Sequence, residues 1–283
     1  MLYEEFKKRF VADIKKEFSD YDVEETPVTK SNENVLDGVT VRMSESIGPV
    51  IYVNYLYENL ANNSDLTYEE LFEDVCNTYR KAFESAPSVE DLKSSIMNWE
   101  TAKTLLRARP ILKKDNLDYL EDKPYKEYLD FAIVYYLDLG EGIAHVPYGL
   151  MDSVWHINEE ELHETAMSNM ENVEYIIRDL DKMFGTEEKE RGFLALTVAN
   201  SPYGANTILM KKALNECAET LGCDEIIVIP SSTQEVLILR KEADSDLGKL
   251  RRLLLAMNIT MEDRNVLSDH LYFYNSSTEE LTA

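Results

Sequence analysis

The chain has 283 residues, and its 54 acidic against 29 basic side chains give a formal net charge of −25. A small domain stays in solution with a net charge of about 2–8 in magnitude. The larger negative charge repels nucleic acid and anionic membranes and favours basic partners. Because 44% of its residues are apolar, the chain can bury a core and is not intrinsically disordered.

The cysteines and the apolar runs indicate the compartment. Three cysteines, an odd number, predict free thiols in a reducing compartment rather than a disulfide framework. The sequence begins MLYEEFKKRF, which is charged too early for a signal peptide. The longest apolar runs, such as 226–229 and 253–257, are too short to span a bilayer. We therefore expect a cytoplasmic protein that does not enter a membrane.

The first hundred or so residues predict one helix, then three strands, then two further helices. Apolar side chains at three- and four-residue steps indicate the first helix. Pro27 places its strand at a sheet edge, and Asp37-Gly38 predicts a bulge in the next strand. Thr67 and Glu70 form a capping box that opens a further helix. The predicted elements are a helix over 3–18, strands over 23–29, 35–43 and 49–54, a helix over 67–83 and a helix over 88–106.

The middle of the chain combines an apolar strand with dense negative charge. The run 128–139 is β-branched and aromatic, which predicts a strand in the middle of a sheet. A turn over 140–142 leads into a short strand. Asn158, with Glu161 at the third helical position, predicts a helix N-terminus. Residues 151–190 hold 12 acids and 3 bases, and 185–192 is typical of a linker.

The segment after residue 190 has the clearest pattern, in the order β-α-β-β-α-β of the ferredoxin-like motif. Gly222 predicts the end of its first helix. We therefore predict an α+β protein of two lobes, an acidic lobe over 1–190 and a β-α-β-β-α-β lobe over 191–283. The predicted elements are strands over 193–199, 225–229, 234–240 and 270–274 and helices over 206–221 and 247–257.

Two loops of the second lobe are candidate ligand-binding segments. Residues 200–206 join a strand to a predicted helix N-terminus, whose free amides and dipole attract anions. The segment lacks the glycine spacing of a nucleotide site. The turn 230–235 carries hydroxyls that either satisfy nearby amides or serve a ligand. The candidate ligand-binding residues are Asn200, Gly204, Asn206, Ser231, Ser232 and Glu235.

The sequence indicates no catalytic set, metal site or cofactor. Ser231 and Ser232 lie outside any G-x-S-x-G elbow, and no base is indicated within their reach. His156 and His163 lie among acids, but the H-E-x-x-H zinc motif is absent. We interpret those acids as an exposed helix face.

The leading hypothesis is a non-catalytic acidic interaction protein that binds a basic protein surface and makes no direct contact with nucleic acid. One alternative is a nucleic-acid mimic that inhibits a DNA- or RNA-binding enzyme, for which regularly spaced carboxylates are needed. Another is a small-ligand binder or enzyme that uses the 200–206 and 230–235 loops, which a pocket joining them favours. The oligomeric state stays open. The candidate partner-binding residues are Glu159, Glu160, Glu161 and Glu164.

Five stretches resemble a family of uncharacterised proteins common in anaerobic gut Gram-positive bacteria and known only as a domain of unknown function. The most specific stretch contains Pro-Ser-Ser-x-x-Glu-Val. The resemblance covers nearly the whole chain and implies an α+β protein that forms one evolutionary unit, without an activity. Many relatives carry histidine where this chain has Gln234, so no Ser–His pair follows. The stretches are 37–41, 49–54, 128–137, 226–239 and 266–274.

Overall fold

The computed structural model describes residues 1–29, 35–42, 50–85, 89–140, 142–184, 192–199, 201, 203–262 and 265–283. The predicted α+β class is confirmed, since helices and antiparallel sheets alternate along the chain. The chain divides into two compact units, 1–96 and 97–283. Among the described residues, none of the helices has the length and apolar character that crossing a membrane requires.

Unit 1 is a three-stranded antiparallel sheet, in the order β1-β2-β3, with helices packed on it. Its core contains Phe6, Phe10 and Ile14 of the first helix together with Tyr79 of the third. The predicted amphipathic first helix is therefore confirmed. The elements are α1 (Tyr3–Glu17), β1 (Asp22–Thr29), β2 (Val35–Arg42), β3 (Val50–Tyr52), α2 (Val53–Asn62), α3 (Tyr68–Ser85) and α4 (Val89–Met97).

Of the local features predicted for unit 1, the capping box and the edge strand are confirmed and the bulge is not. The capping box is present, since Thr67 Oγ1 accepts from Glu70 N at 3.3 Å and Glu70 Oε2 accepts from Thr67 N at 2.9 Å. β1 is an edge strand, as Pro27 predicted. The predicted bulge is wrong, because the pairing of β1 with β2 runs without interruption past Gly38. A Cβ at Gly38 would lie 2.8 Å from Thr26 O, so close packing explains this glycine.

Unit 2 contains two sheets. The elements are α5 (Trp99–Leu105), β4 (Leu106–Leu112), α6 (Leu117–Leu120), β5 (Tyr125–Tyr128), β6 (Phe131–Asp138), β7 (Ile143–His145), α7 (Tyr148–Leu150), α8 (Glu159–Met170), β8 (Tyr175–Asp179), α9 (Leu180–Phe184), β9 (Phe193–Val198), α10 (Lys211–Leu221), β10 (Glu225–Ile229), β11 (Val236–Arg240), α11 (Leu247–Thr260), β12 (Tyr272–Asn275) and β13 (Glu280–Thr282).

The smaller sheet is built around β6, which pairs with β4, β5 and β7. The strand predicted for the middle of a sheet is thus confirmed, and seven of the eight β6 residues are buried. The helix predicted over 88–106 is broken at Asn98, whose side chain accepts from Thr101 N and caps α5. At Leu106 the chain becomes strand β4.

The larger sheet has six antiparallel strands in the order β13-β12-β10-β11-β9-β8. The predicted β-α-β-β-α-β order is present along the chain from β9 to β12. The ferredoxin-like arrangement itself is not adopted. In that motif the first strand lies between the third and the fourth. Here the hairpin β10–β11 separates the first strand, β9, from the fourth, β12. Gly222 ends α10 with a φ of 64°, as predicted.

The structure divides the chain at a different place from the predicted boundary at 190. β8 pairs with β9 from Tyr175↔Val198 to Asp179↔Leu194, so one sheet contains strands from both sides of that boundary. The compact units meet at 96/97 instead. Most of the predicted linker, 185–191, lies outside the described residues.

A fragment of residues 97–283 is expected to fold alone, because it contains every strand of both sheets of unit 2. A fragment of residues 191–283 is expected not to fold stably, because β9 loses β8 and the smaller sheet is missing. Amide NMR spectra of both fragments test this. A dispersed spectrum of the shorter fragment, or a collapsed spectrum of the longer one, would contradict the division at 96/97.

Candidate ligand-binding cleft

Two arginines lie on one face of β4, within the smaller sheet. Arg107 pairs with Tyr136 of β6, and Arg109 pairs with Val134. Because alternate residues of a strand share a face, both guanidinium groups lie on the side of Tyr136. Neither arginine was among the candidate residues predicted from the sequence. The available signal was the alternation of Arg107 and Arg109 within an otherwise apolar run.

Arg109 is a buried cation among tyrosines. Its side chain is only 4% exposed. Nη2 donates to Tyr119 Oη at 3.0 Å, and the guanidinium carbon lies 4.3 Å from the centre of the Tyr203 ring. Nε has no hydrogen-bond partner. Within the described part of the chain, no carboxylate forms an ion pair with Arg109. Its positive charge is therefore balanced only by aromatic rings and one phenol.

The candidate loop, 201–206, packs against the same face; Pro202 within it lies outside the described residues. Ser201 Oγ accepts from Tyr203 N at 3.1 Å. The Tyr203 ring meets the Tyr136 ring edge to face, with centroids 5.4 Å apart. Asn206 Nδ2 donates to Tyr136 Oη at 3.2 Å. The loop is thus held over Tyr136 by one ring and one amide.

A polar cleft of about 240 Å³ opens where this loop, β6 and the start of β8 converge. Arg107 lies in its wall, with Nη1 donating to the carbonyls of Thr104 and Leu106 at 3.1 and 2.9 Å. No carboxylate of the described residues forms an ion pair with Arg107. The lining residues are Arg107, Tyr136, Asp138, Met170, Asn172, Val173, Glu174, Val198, Ala199, Ser201 and Asn206.

Tyr136 and Asn206 place a phenol and an amide in the lining of the cleft. Burial raises the pKa of Tyr136 to about 12, so its phenol stays protonated at neutral pH. Asn206 is 3% exposed. Its Nδ2 is used by Tyr136, while its Oδ1 has no partner among the residues that the structure describes. The cleft therefore offers an amide oxygen as acceptor beside a neutral phenol.

The predicted ligand-loop residues have different outcomes. Asn206 lines the cleft, and Gly204 packs beneath the loop against Thr197 and Gln234. Asn200 lies outside the described residues. The predicted helix N-terminus is displaced, because 204–209 forms a 3₁₀ helix and α10 begins only at Lys211. The loop contributes to the cleft through side chains rather than through the start of α10.

The 231–235 turn supports the loop and lies outside the lining of the cleft. Ala205 N donates to Thr233 O at 3.1 Å, which joins the two predicted loops. Ser231 is buried, and its Oγ donates to Glu235 O at 3.0 Å. Ser232 Oγ accepts from Gln234 N at 3.0 Å. Both hydroxyls, and the Glu235 carbonyl, therefore serve the turn itself.

The acidic residues of α8 follow the predicted N-cap. Asn158 Oδ1 accepts from Glu161 N at 2.8 Å, which confirms the cap. Glu161 also accepts from Trp99 Nε1 at 3.2 Å. Burial, and then the charge of Glu159, raise the pKa of Tyr148. Glu160 and Glu164 are exposed and form no ion pair with any described residue.

The two histidines near these acids do not converge. His156 Nδ1 lies 3.0 Å from Asp152 O, and His163 Nδ1 lies 3.0 Å from Tyr135 Oη. A different set comes together elsewhere, where ligand atoms of Asp130, Asp269 and His270 lie within 4.8 Å of one another. Asp130 and His270 of this set form hydrogen bonds within the protein.

Asp130 stands in the turn between β5 and β6 and holds the segment before β12. Its Oδ1 accepts from Tyr272 Oη at 2.6 Å. Its Oδ2 lies 2.9 Å from His270 Nδ1 and accepts from Ser268 Oγ at 3.3 Å. We call these four residues the Asp130 network. Ser268 has no hydrogen bond to the His270 ring, so the network does not form a nucleophile–base pair. It fastens the smaller sheet to the larger one.

The stability of the protein is expected to depend on His163 as the pH falls. Burial, and then Lys126, lower the pKa of His163 below its ordinary value of 6.5. Below about pH 6.5 the unfolded chain binds more protons than the folded one, so the free energy of unfolding decreases from there downward. Urea unfolding between pH 7.5 and 5.5 is expected to show a smaller decrease for His163→Gln. His156→Gln is the matched control, and equal slopes for wild type and His163→Gln would contradict the prediction.

The three thiols are free, as predicted. Burial raises the pKa of Cys76 to about 11 and that of Cys217 to about 12. Burial also raises the pKa of Cys223. Because the thiolate is the reactive form, none of the three is activated as a nucleophile.

The sequence matches the model of a family described as Family of unknown function (DUF5688) over residues 3–276. No curated protein and no solved structure matches the chain. The match covers nearly the whole chain, which confirms the resemblance to an uncharacterised domain family. The chain belongs to the DUF5688 family of unknown function.

Proposed function

We propose that this protein is a non-catalytic binding protein that holds a small polar ligand in the cleft beside the 201–206 loop. The observation that carries the proposal is the pair of arginines on β4. Neither Arg107 nor Arg109 forms an ion pair with a carboxylate of the described residues, although the chain has a net charge of −25. The chain has many carboxylates that could pair with an arginine, yet none of those described pairs with these two. The two guanidinium groups, one in the wall of the cleft and one behind it, therefore favour an anionic group supplied by a ligand.

The energetics of Arg109 support this interpretation. Removing an ion from water costs several kcal/mol unless the ion is paired. A desolvated cation–π contact such as that with Tyr203 returns about 2 kcal/mol, and the hydrogen bond to Tyr119 returns about 1.5–3 kcal/mol. These two contributions are about as large as the cost of removing the guanidinium from water, so the net effect of Arg109 on the stability of the fold is close to zero. Arg109 therefore adds positive potential behind the cleft without a large gain in stability, and this potential favours an anionic group of a ligand.

The arrangement of hydroxyls and thiols supports a non-catalytic role. Ser231 and Ser232 bond within their turn, and the Cys76 and Cys217 thiols are buried with raised pKa values. A nucleophile requires a base within hydrogen-bond reach. In the part of the chain that the structure describes, the cleft contains no such pair.

The proposal is tested with a deproteinised bacterial metabolite extract as the probe. Wild type and Arg107→Gln are incubated with the extract and recovered by gel filtration, and the released molecules are identified by mass spectrometry. Wild type is expected to retain at least one small polar molecule that Arg107→Gln does not. Arg251→Gln, an exposed arginine on α11 outside the cleft, is the matched control. Identical profiles for wild type and Arg107→Gln would overturn the proposal.

A second candidate function is the binding of a basic protein surface by α8 in the cytoplasm. Glu160 and Glu164 favour it, since they are exposed without ion pairs and lie one turn apart on the same face. A nucleic-acid mimic would need a longer regular row than these two carboxylates provide.

The test of this second function needs a partner from a pull-down with the purified protein as bait. The rate of association is expected to fall with salt, because screening shortens to about 8 Å at physiological ionic strength. Neutral replacements of the acidic residues are expected to slow association more than they speed dissociation. Equal rates and equal salt slopes for wild type and the variant would contradict it. The replaced residues are Glu159, Glu160, Glu161 and Glu164.

A further inference from the structure

We infer that the ligand of this cleft is a small zwitterion of the α-amino-acid type, with one carboxylate and one ammonium group. The inference rests on the proposed function and adds the chemical class of the ligand. It starts from the charges of the lining residues, which have both signs. Arg107 on β4 is positive, whereas Asp138 at the end of β6 and Glu174 before β8 are negative. A ligand with a single charge would be attracted by one side and repelled by the other.

The spacing of these groups suits a small ligand. Arg107 lies directly opposite Tyr136 in the pairing of β4 with β6, and Asp138 lies two residues further along β6. Such diagonal neighbours on one face have Cβ atoms about 7–8 Å apart, so both side chains reach a molecule placed between them. A guanidinium binds a carboxylate through parallel hydrogen bonds, and a carboxylate accepts from an ammonium.

Neither acid is neutralised by the protein. Asp138 Oδ1 accepts from Gly140 N at 3.1 Å, and neither Asp138 nor Glu174 forms an ion pair with a described residue. Lysines and arginines elsewhere in the structure do pair with acids, as Lys113 does with Glu127. The cleft thus presents one positive and two negative side chains that form no ion pair with a described residue, which favours a ligand that bridges them.

Asn206 supplies the independent observation. Its side chain is 3% exposed and lines the cleft, with Nδ2 fixed on Tyr136 Oη at 3.2 Å. Oδ1 has no partner among the described residues and is left as an acceptor available to a ligand in the cleft. An ammonium, with three donors, satisfies Oδ1 and an acid at the same time.

The volume of the cleft suits a small ligand. At about 240 Å³, it lies just below the 300–1,000 Å³ of typical sites for drug-sized ligands, which favours a molecule of the size of a free amino acid.

The test uses a panel of L-amino acids as probes, followed by isothermal titration of the strongest binder and its two one-charge analogues. These are the acid that lacks the amino group and the amine that lacks the carboxylate. Wild type is expected to bind the amino acid about tenfold or more tightly than either analogue. This ratio of affinities corresponds to the loss of one charge-assisted hydrogen bond. Arg107→Gln is expected to lose the amino acid and the acid. Asp138→Asn is expected to weaken the amino acid and the amine but not the acid.

Asp152→Asn, an exposed acid outside the cleft, is the matched control, and amide spectra of all variants show whether each is folded. Asp138 is itself exposed, so its variant tests the inference even if Arg107→Gln fails to fold. Binding of the acid analogue as tightly as the amino acid would overturn the zwitterion and leave the proposed function standing. Failure of every amino acid to bind, with a metabolite still retained from the extract, would do the same. Failure of both experiments would overturn the proposed function.

Discussion

Replacing Gly204 by alanine is expected to destabilise the protein by about 3–5 kcal/mol. A Cβ at this position would overlap the Gln234 carbonyl oxygen and the Thr197 hydroxyl, and it would lie 2.8 Å from the Gln234 carbonyl carbon. The first obstacle is main chain, which cannot rotate away as a side chain can. Either the 3₁₀ helix or the 231–235 turn must move, and the Ala205–Thr233 hydrogen bond breaks.

Urea unfolding measures this effect, and Gly149→Ala is the matched control. A Cβ at Gly149 meets nothing within 4 Å, so that variant is expected to keep or slightly raise the stability of wild type. Gly204→Ala is also expected to abolish ligand binding, since the displaced loop carries Asn206. Removing the Thr197 hydroxyl should not rescue the variant. A midpoint of unfolding equal to that of wild type would show that the loop yields easily.

Asp130→Ala is expected to cost about 3 kcal/mol, the second large effect. The change removes the acceptor of Tyr272 Oη, Ser268 Oγ and the His270 ring. Tyr272 and Ser268 are completely buried, so their hydroxyls lose a partner inside the protein. An unsatisfied buried hydroxyl costs about 1–3 kcal/mol, and the Ser268–Tyr272 hydrogen bond at 2.7 Å limits the loss.

A double-mutant cycle isolates the main contact of this network. Tyr272→Phe removes only the phenol, and we expect a coupling energy of about 1–3 kcal/mol between the two changes. Asp115→Ala, which removes an exposed carboxylate outside the network, serves as the control and is expected to change stability by less than about 0.5 kcal/mol. Additive losses for Asp130→Ala and Tyr272→Phe would show that the network contributes no specific stability.

The sequence predicted those parts of the fold that local chemistry determines. Thr67 with Glu70, Asn158 with Glu161, and Gly222 each mark a helix end through contacts within a few residues, and all three are confirmed. The apolar run of β6 identified a buried strand. Strand β4 was missed because Arg107 and Arg109 interrupt its apolar pattern. The pairing of β8 with β9 joins strands across a long connection, so no local signal reveals it.

The candidate site also consists of a part that the local sequence predicts and a part that only the tertiary fold assembles. The 200–206 loop was predicted because a strand ends before it, and Asn206 does line the cleft. Its partners lie about seventy or more residues earlier in the chain, on β4 and β6, and only the tertiary fold brings Arg107 and Asp138 to the loop. The hydroxyls of Ser231 and Ser232 were candidates by residue type alone. Their role in the turn depends on hydrogen bonds that a sequence does not show.

The order of strands in the larger sheet has a consequence for synthesis of the chain. Unit 1 is one uninterrupted segment, so it can complete its core on the ribosome before most of unit 2 has been made. The hairpin β10–β11 is made after its neighbour β9, but β12 pairs with β10 only after a further thirty or so residues. Until Tyr272–Asn275 has emerged, the apolar strand Glu225–Ile229 has one unpaired side. Nascent chains that pause between these two strands are therefore the ones most prone to join one another.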